Sequence, residues 1–275
     1  MPELPDLEVI RDVLGRRLVG QTVDRLEVVR PIVLRILVPH TAEDLVEGRT
    51  FERVERRGKF LLFSLSGGVW TAVNLMLAGE LRLCSAQERV RARDYLLFHL
   101  RGGFDLRYYD PRAMGKVYLT DDLSLVPGYG DMGPDALDPA LTEDAFLERL
   151  RRFQGEIKGI LTRGAFVAGI GNAYADEILF AAGIYPFRKR NTLSEEEQRA
   201  LFRATRQVLL EAIAVLRERM GEVTDVKVRD FLQVHGKAGQ PCPRCGHPIS
   251  EVKIGQRATN FCRHCQPGTL LRGGL

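Results

Sequence analysis

Two Cys-x-x-Cys pairs, Cys242-Pro-Arg-Cys245 and Cys262-Arg-His-Cys265, stand sixteen residues apart near the end of a 275-residue chain. Each pair turns two sulfurs toward one point, and four thiolates at tetrahedral corners close the shell of a zinc ion. No position is left for water or substrate. The spacing therefore predicts one structural Zn2+ site with a small ribbon folded around it. Disulfide pairing is the alternative, a poor one in a reducing compartment. His247 and His264 lie beside the knuckles and are expected as bystanders rather than ligands. Cys84, alone in a distant apolar run, is expected to be a small core residue. Between the knuckles lie Lys253 and Gln256-Arg257-Ala258-Thr259. A rigid hairpin tip bearing cations suits a phosphate backbone, and a plain solvated turn is the alternative.

Charge is unevenly spread. From Lys227 to Leu275 there are eight Lys and Arg against Asp230 and Glu251, a local +6 on a chain whose net charge is +4. The first 226 residues thus carry −2. A basic end on a near-neutral body fits a polyanion partner. The composition is 45% hydrophobic and 28% charged, which excludes collagen, low-complexity disorder and a disulfide-only mini-protein. No apolar run approaches the ~18 residues needed to cross a bilayer. The longest candidate, Val69 to Gly79, is broken by Thr71 and Asn74. Glu3, Asp6 and Glu8 stand where an export signal needs cations, so a cytoplasmic protein with no membrane association is expected.

The first 120 residues alternate strand-like runs with turns. Phe60–Leu65 and Val69–Val73 flank Gly67-Gly68 as a hairpin, and Tyr95–Leu100 and Phe104–Tyr109 flank Gly102-Gly103 likewise. Glu80–Cys84 reads as a further strand. The start differs, because Leu7, Ile10, Leu14 and Leu18 share one helical face behind Pro5. The expected architecture is α+β: a leading helix on an antiparallel β-sandwich over residues 1–127. A Pro- and Gly-rich linker over 128–140 follows. Helical periodicity then takes over in 141–232, with Thr142 as an N-cap and Ser194 with Glu197 as a capping box. Leu201, Ala204, Val208, Ala212 and Leu216 follow that box at helical spacing. Residues 233–275 form the zinc-finger hairpin.

Two further segments carry chemistry. In Ala168-Gly169-Ile170-Gly171-Asn172, two glycines precede an Asn expected at a helix cap. Free N–H groups at such a helix start hold phosphate, although a plain helical hairpin explains the glycines equally well. No Walker loop is present. The second segment is Met1-Pro2-Glu3. A small second residue permits removal of the initiator methionine, which leaves a secondary amine beside a carboxyl. An α-amine has a pKa near 8 (roughly), well below lysine's, so part of it is nucleophilic at neutral pH. Attack on an anomeric sugar carbon gives an iminium, and Glu3 is placed to shuttle protons.

Five motifs in one order now identify a family. They are Pro2-Glu3-Leu4-Pro5, Arg56-Arg57-Gly58-Lys59-Phe60-Leu61, Asp110-Pro111-Arg112, Gly169-Ile170-Gly171-Asn172 with Tyr174-Ala175-Asp176-Glu177, and Gln256-Arg257-Ala258-Thr259 between the knuckles. The chain resembles, end to end, formamidopyrimidine-DNA glycosylase and endonuclease VIII, the bifunctional base-excision repair enzymes. The resemblance implies a helix–two-turn–helix domain with a zinc finger behind the β-sandwich, DNA lying in the cleft, and a monomer acting on double-stranded DNA with a damaged base or abasic site. It implies that Pro2 attacks C1′ and releases the base, that Glu3 is the general acid/base, and that Lys59 contacts phosphate and assists. It also implies β- and δ-elimination from the iminium, with Arg257, part of the catalytic set, and Asn172 gripping phosphates beside the flipped nucleotide. Leu77, Arg112 and Met114 match the family's three void-filling side chains.

The chain departs from the family pattern at several points. Asp6 replaces a usual Glu, Asn74 a common His, and Arg163 an acidic residue in the helix before the two-turn motif. The stretch from Gly221 to Phe231 is short where the formamidopyrimidine branch carries a long lesion-capping loop. Two competing readings are a non-catalytic DNA-damage binder on the same fold and a zinc-ribbon transcription or RNA factor. The latter leaves Pro2-Glu3 and Gly171-Asn172 without a role.

Overall fold

The computed structural model describes residues 1–255 and 257–268. Gln256 of the tip motif and Arg272, one of the counted basic residues, lie outside the described residues. The chain divides into two compact units, Met1–Asp131 with Ile213–Val228, and Met132–Ala212 with Arg229–Leu275. Among the described residues no helix is long and apolar enough to cross a membrane.

The first unit opens with α1 (Leu4–Leu18), followed by β1 (Val23–Val28), β2 (Leu34–Ile36) and α2 (Ala42–Val46). Seven strands follow: β3 (Phe51–Arg57), β4 (Phe60–Leu65), β5 (Val69–Asn74), β6 (Glu80–Ser85), β7 (Asp94–Leu100), β8 (Phe104–Tyr109) and β9 (Lys116–Thr120). They form two sheets, ordered β1-β7-β8-β6 and β2-β9-β5-β4-β3. Both expected hairpins are present, β4 with β5 around Gly67-Gly68 and β7 with β8 around Gly102-Gly103. Strand β4 is buried along its whole length and β7 nearly so. These two interior strands are thus covered on both sides, while β1 and β3, each at the edge of its sheet, keep exposed positions. One pairing departs from the antiparallel expectation, since short β2 runs parallel to β9. A three-residue edge strand joined by a long connection can take either direction.

Helix α1 buries Leu7, Ile10, Leu14 and Leu18, the face read from its periodicity, together with Leu4, and packs on β3. Arg56 of β3 donates to Glu8 at 2.6 Å and fixes that docking. Cys84 is buried in β6. Residues 213–228 also close on this unit. Thr224 donates to the Leu81 carbonyl at 2.5 Å, Arg217 reaches Asp12 at 2.7 Å, and Arg16 reaches Glu222 at 2.6 Å.

The second unit contains α3 (Glu143–Arg151), α4 (Ile157–Leu161), α5 (Asn172–Ala181) and α6 (Glu195–Met220), of which α6 continues past Ala212 into the first unit's residues. The hairpin of β10 (Ser250–Ile254) and β11 (Arg257–Phe261) follows. Thr142 caps α3 at 3.2 Å through the Ala145 N–H. Ser194 and Glu197 form the reciprocal box ahead of α6. Along α6, Leu201, Ala204, Ala212 and Leu216 are buried and Val208 half-buried, with Leu209 beside it in the core.

Residues 128–140 hold no helix or strand, yet they are tied down. Gly133 donates to the Gly164 carbonyl at 2.9 Å and Ala136 to that of Ala168 at 3.1 Å. A Cβ on Gly133 would lie 2.5 Å from the Phe166 carbonyl, so only glycine allows this approach. Arg163, expected inside the helix before the two-turn motif, instead lies exposed beyond it. Helix α4 ends at Leu161 with Thr162 as C-cap, and the Thr162 hydroxyl closes that turn on the Gly159 carbonyl.

Candidate functional site

In the first unit, Pro2 and Glu3 are both buried, Glu3 at 2% exposure. Glu3 is the N-cap of α1, and its N–H donates to Asp6 Oδ2 at 2.8 Å. The Asp6 departure thus has a visible role, because its short carboxylate satisfies the helix's leading donor and fixes the residue that follows Pro2. Lys59 is half-buried in the two-residue turn between β3 and β4, where Gly58 adopts φ +58°. The Arg56–Glu8 pair joins the strand leading into that turn to the helix that begins beside Pro2.

Leu77 and Met114 are exposed at 37% and 40%, as are several other large apolar side chains of this unit. Arg112 is exposed as well. The three lie on two loops, one between β5 and β6 and the other between β8 and β9. Two non-glycine residues among those described have positive φ, Met76 at +48° and Ala113 at +53°. Each stands next to a predicted void-filling residue. Such conformations persist only where surrounding bonds hold them. Asn74 Oδ1 accepts from Met76 N–H at 3.1 Å, so the residue in place of the common His serves as a turn anchor.

In the second unit, the Sγ atoms of Cys242, Cys245, Cys262 and Cys265 lie within 4.8 Å of one another. Cys242 and Cys265 are 3.8 Å apart, and Cys245 and Cys262 3.4 Å. Zn–S bonds of about 2.3 Å at tetrahedral angles require sulfurs about 3.8 Å apart, whereas a disulfide needs about 2.05 Å. The four cysteines form one structural zinc site. His247 and His264 remain outside it and stack on each other, ring centroids 4.6 Å apart.

Zinc finger and helix α5 meet at both ends of the helix. At its C-terminal end Arg244, between the first two ligands, donates to the Phe180 carbonyl at 2.7 Å and lies over the Phe180 ring. At the N-terminal end the expected cap is displaced by one residue. Gly171 is the N-cap and Asn172 the first helical residue. The Asn172 side chain is used across space instead, with Nδ2 donating to the Ala258 carbonyl at 2.8 Å. This brings Asn172 beside the residue that follows Arg257. Arg257 opens β11, exposed at the hairpin tip. Lys253 opposes Ala258 in the register, so it projects from the other ribbon face, where Glu251 pairs with it at 3.0 Å.

Four residues of this arrangement were given no role in the sequence reading. Lys158, 7% exposed, donates to the Ala258 carbonyl at 3.2 Å and to Thr259 Oγ1 at 2.8 Å, and pairs with Asp176 at 2.7 Å. Fully buried Asp176 also accepts from His235 Nδ1 at 2.8 Å and from Asn260 N–H at 3.1 Å. Glu177 accepts the N–H groups of Gln233, Val234 and His235 at 2.8–2.9 Å. A signal existed, since Asp176-Glu177 interrupts an otherwise apolar helix and Lys158 stands alone in Ile157–Leu161. Charges in apolar helices need buried partners.

Comparison with known proteins agrees with this geometry. Residues 1–117 match the formamidopyrimidine-DNA glycosylase N-terminal domain, 132–222 its H2TH domain, and 239–268 the zinc finger found in FPG and IleRS. A formamidopyrimidine-DNA glycosylase of Symbiobacterium thermophilum is 39% identical over 97% of this chain and 90% of its own. One from Geobacter metallireducens is 38% identical over 97% and 100%. The Lactococcus lactis Fpg in complex with abasic-site DNA superposes with TM-score 0.87 at 30% identity, covering 97% of this chain and all of that one. The same protein with Fapy-dG-containing DNA gives 0.88. From its leading helix to its four-cysteine zinc finger, the chain belongs to the formamidopyrimidine-DNA glycosylase family.

Proposed function

We propose that this protein is a base-excision-repair DNA glycosylase with AP-lyase activity on double-stranded DNA carrying a damaged base or an abasic site. With Met1 attached, the Pro2 nitrogen is an amide. Removal of Met1 makes it a secondary amine with a usable lone pair at neutral pH. That lone pair bonds to C1′ as the base departs with the glycosidic bond pair, and the amine then gives up its N–H proton. Ring opening at O4′, with a proton delivered there, leaves an iminium between Pro2 and C1′. Loss of a C2′ proton then expels the 3′ phosphate, and a second elimination expels the 5′ phosphate. Glu3 carries these protons, its backbone fixed by Asp6. Lys59 supplies a cation to the phosphate beside the reacting sugar.

The observation that carries this reading is the state of the first residues, with buried Glu3 held in place directly after Pro2. The second unit supports it with Asn172 bonded to the carbonyl of Ala258, the residue after exposed Arg257, with Asn172 and Arg257 both assigned to phosphate contact, and with Lys253 adding charge to the ribbon. Leu77, Arg112 and Met114 fill the space that a flipped nucleotide vacates. The protein acts as a cytoplasmic monomer, associated with the nucleoid in a bacterial cell. Borohydride trapping on lesion-bearing or abasic duplex tests the chemistry, alongside intact mass. A mass lacking one methionine and a covalent adduct are expected. A protein without Met1 that binds the duplex yet gives no adduct is instead a binder that has lost the chemistry.

A further inference from the structure

The two loops bearing Leu77, Arg112 and Met114 share one contact point that their assignment as void-filling residues does not explain. Tyr108, the penultimate residue of β8, is fully buried. Its hydroxyl donates to Asp110 Oδ2 at 3.3 Å. Asp110, also fully buried, holds the β8–β9 loop twice, accepting from Arg112 N–H at 2.9 Å through Oδ1 and from Gly115 N–H at 2.8 Å through Oδ2. One carboxylate thus bridges the loop on both sides of Ala113 and supports its positive φ.

The same hydroxyl touches the other loop. A Cβ on Gly115 would lie 1.7 Å from Tyr108 Oη, and a Cβ on Gly79 would lie 2.7 Å from it. Gly79 closes the β5–β6 loop by donating to the Leu75 carbonyl at 2.8 Å. The Asn74 carbonyl is 3.0 Å from the Gly115 Cβ position, where the end of β5 pairs with the start of β9 through Asn74 and Lys116. Neither glycine has a positive φ; both are required because the phenol fills the space a side chain would need. Burial, with Asp110 alongside, pushes the Tyr108 phenol far up, so it stays protonated and remains a donor at any working pH.

We propose that Tyr108 is a positioning residue, its hydroxyl holding the two loops in one register so that Leu77, Arg112 and Met114 enter the duplex as a single wedge. This rests on the assignment of those three residues to void filling. The wedge replaces stacking that must be restored within the time a nucleotide is everted, and two independently moving loops would insert less often.

The test compares Tyr108→Phe and Asp110→Asn with Leu77→Ala and Met114→Ala on two substrates. One is a lesion-bearing duplex with 2-aminopurine opposite the lesion, and the other a single strand with a pre-formed abasic site, which leaves no void to fill. Loss of one buried hydrogen bond is expected to slow duplex excision by Tyr108→Phe about tenfold and to diminish the 2-aminopurine signal. Single-strand cleavage should stay at the wild-type rate, and the melting temperature should fall only by the few degrees that one lost buried hydrogen bond allows. Asp110→Asn keeps the side-chain volume but turns one acceptor into a donor facing a backbone N–H, so it should show a larger loss on duplex than Tyr108→Phe. Equal loss on both substrates would make Tyr108 merely structural and overturn the proposal. So would a wild-type Tyr108→Phe alongside an impaired Leu77→Ala, which leaves the wedge itself standing. If all four variants excise from duplex at the wild-type rate, the void-filling assignment falls and this inference falls with it.

Discussion

Asn172 Nδ2 lies 2.8 Å from the carbonyl oxygen of Ala258, so the first residue of α5 and the residue after Arg257 are joined by one hydrogen bond. Lys158 donates to the same carbonyl. A backbone carbonyl with two donors cannot drift, and the exposed guanidinium one residue earlier is presented from a fixed base.

Arg257 is therefore expected to make one defined phosphate contact. Arg257→Ala should weaken binding to all duplexes alike and lower the slope of log affinity against log salt by about one. Asn172→Ala, by loosening the hairpin, should weaken binding with a smaller change of slope. Titrations of a fluorescent duplex at several salt concentrations measure both. An unchanged slope for Arg257→Ala would remove it from the phosphate contacts.

The Lys158–Asp176 pair is almost completely dry, which makes breaking it costly. Lys158→Met would leave the Asp176 carboxylate buried opposite an apolar chain, at a cost of roughly 3–5 kcal/mol. Urea unfolding should show this as a lower midpoint with the slope unchanged. A loss below about 1 kcal/mol would mean that His235 and Asn260 suffice as partners for Asp176.

Zinc is expected at one equivalent per chain, and its removal should act on the second unit. The buried residues around the knuckles, Phe180, Val234 and Ile249 with Cys242 and Cys262, make too small a cluster to hold the ribbon alone. Chelation, or Cys245→Ser, should abolish tight duplex binding and lower the melting temperature. Metal analysis paired with calorimetry checks this. Undiminished binding by zinc-free protein would sink it.

The capping box ahead of α6 sets a small acid dependence. Arg188, hydrogen-bonded to Glu197, holds its carboxyl below the ordinary glutamate value, with the Ser194 N–H assisting. A carboxyl lowered on folding contributes stability above its unfolded pKa, and that contribution fades as pH falls through the folded value. Glu197→Gln should lower the melting temperature at neutral pH, and its deficit should vanish in acid. Parallel melting curves for the two proteins would expose an error in sign.

Much of this was legible in the chain alone. The α1 face, both glycine hairpins, the Thr142 cap and the Ser194–Glu197 box are local patterns whose causes lie within a few residues, and the structure reproduces each. The zinc ligands were legible because tetrahedral thiolate chemistry leaves little freedom once two Cys-x-x-Cys turns are present. Asn172 was misplaced by one position because its side chain bonds to a residue 86 positions away rather than to its own helix. The parallel β2–β9 pairing and the exit of Arg163 from α4 likewise depend on what surrounds those segments.

Periodicity, turn residues and ligand spacing determined which segments are helices, which are hairpins, and where a metal must sit, since each of these follows from the backbone's own geometry. Folding decided which polar groups became dry partners, Lys158 with Asp176 and Tyr108 with Asp110, and which carbonyl Asn172 would hold. Those choices depend on desolvation and on distances between residues far apart in the chain, and neither quantity exists until the chain has packed.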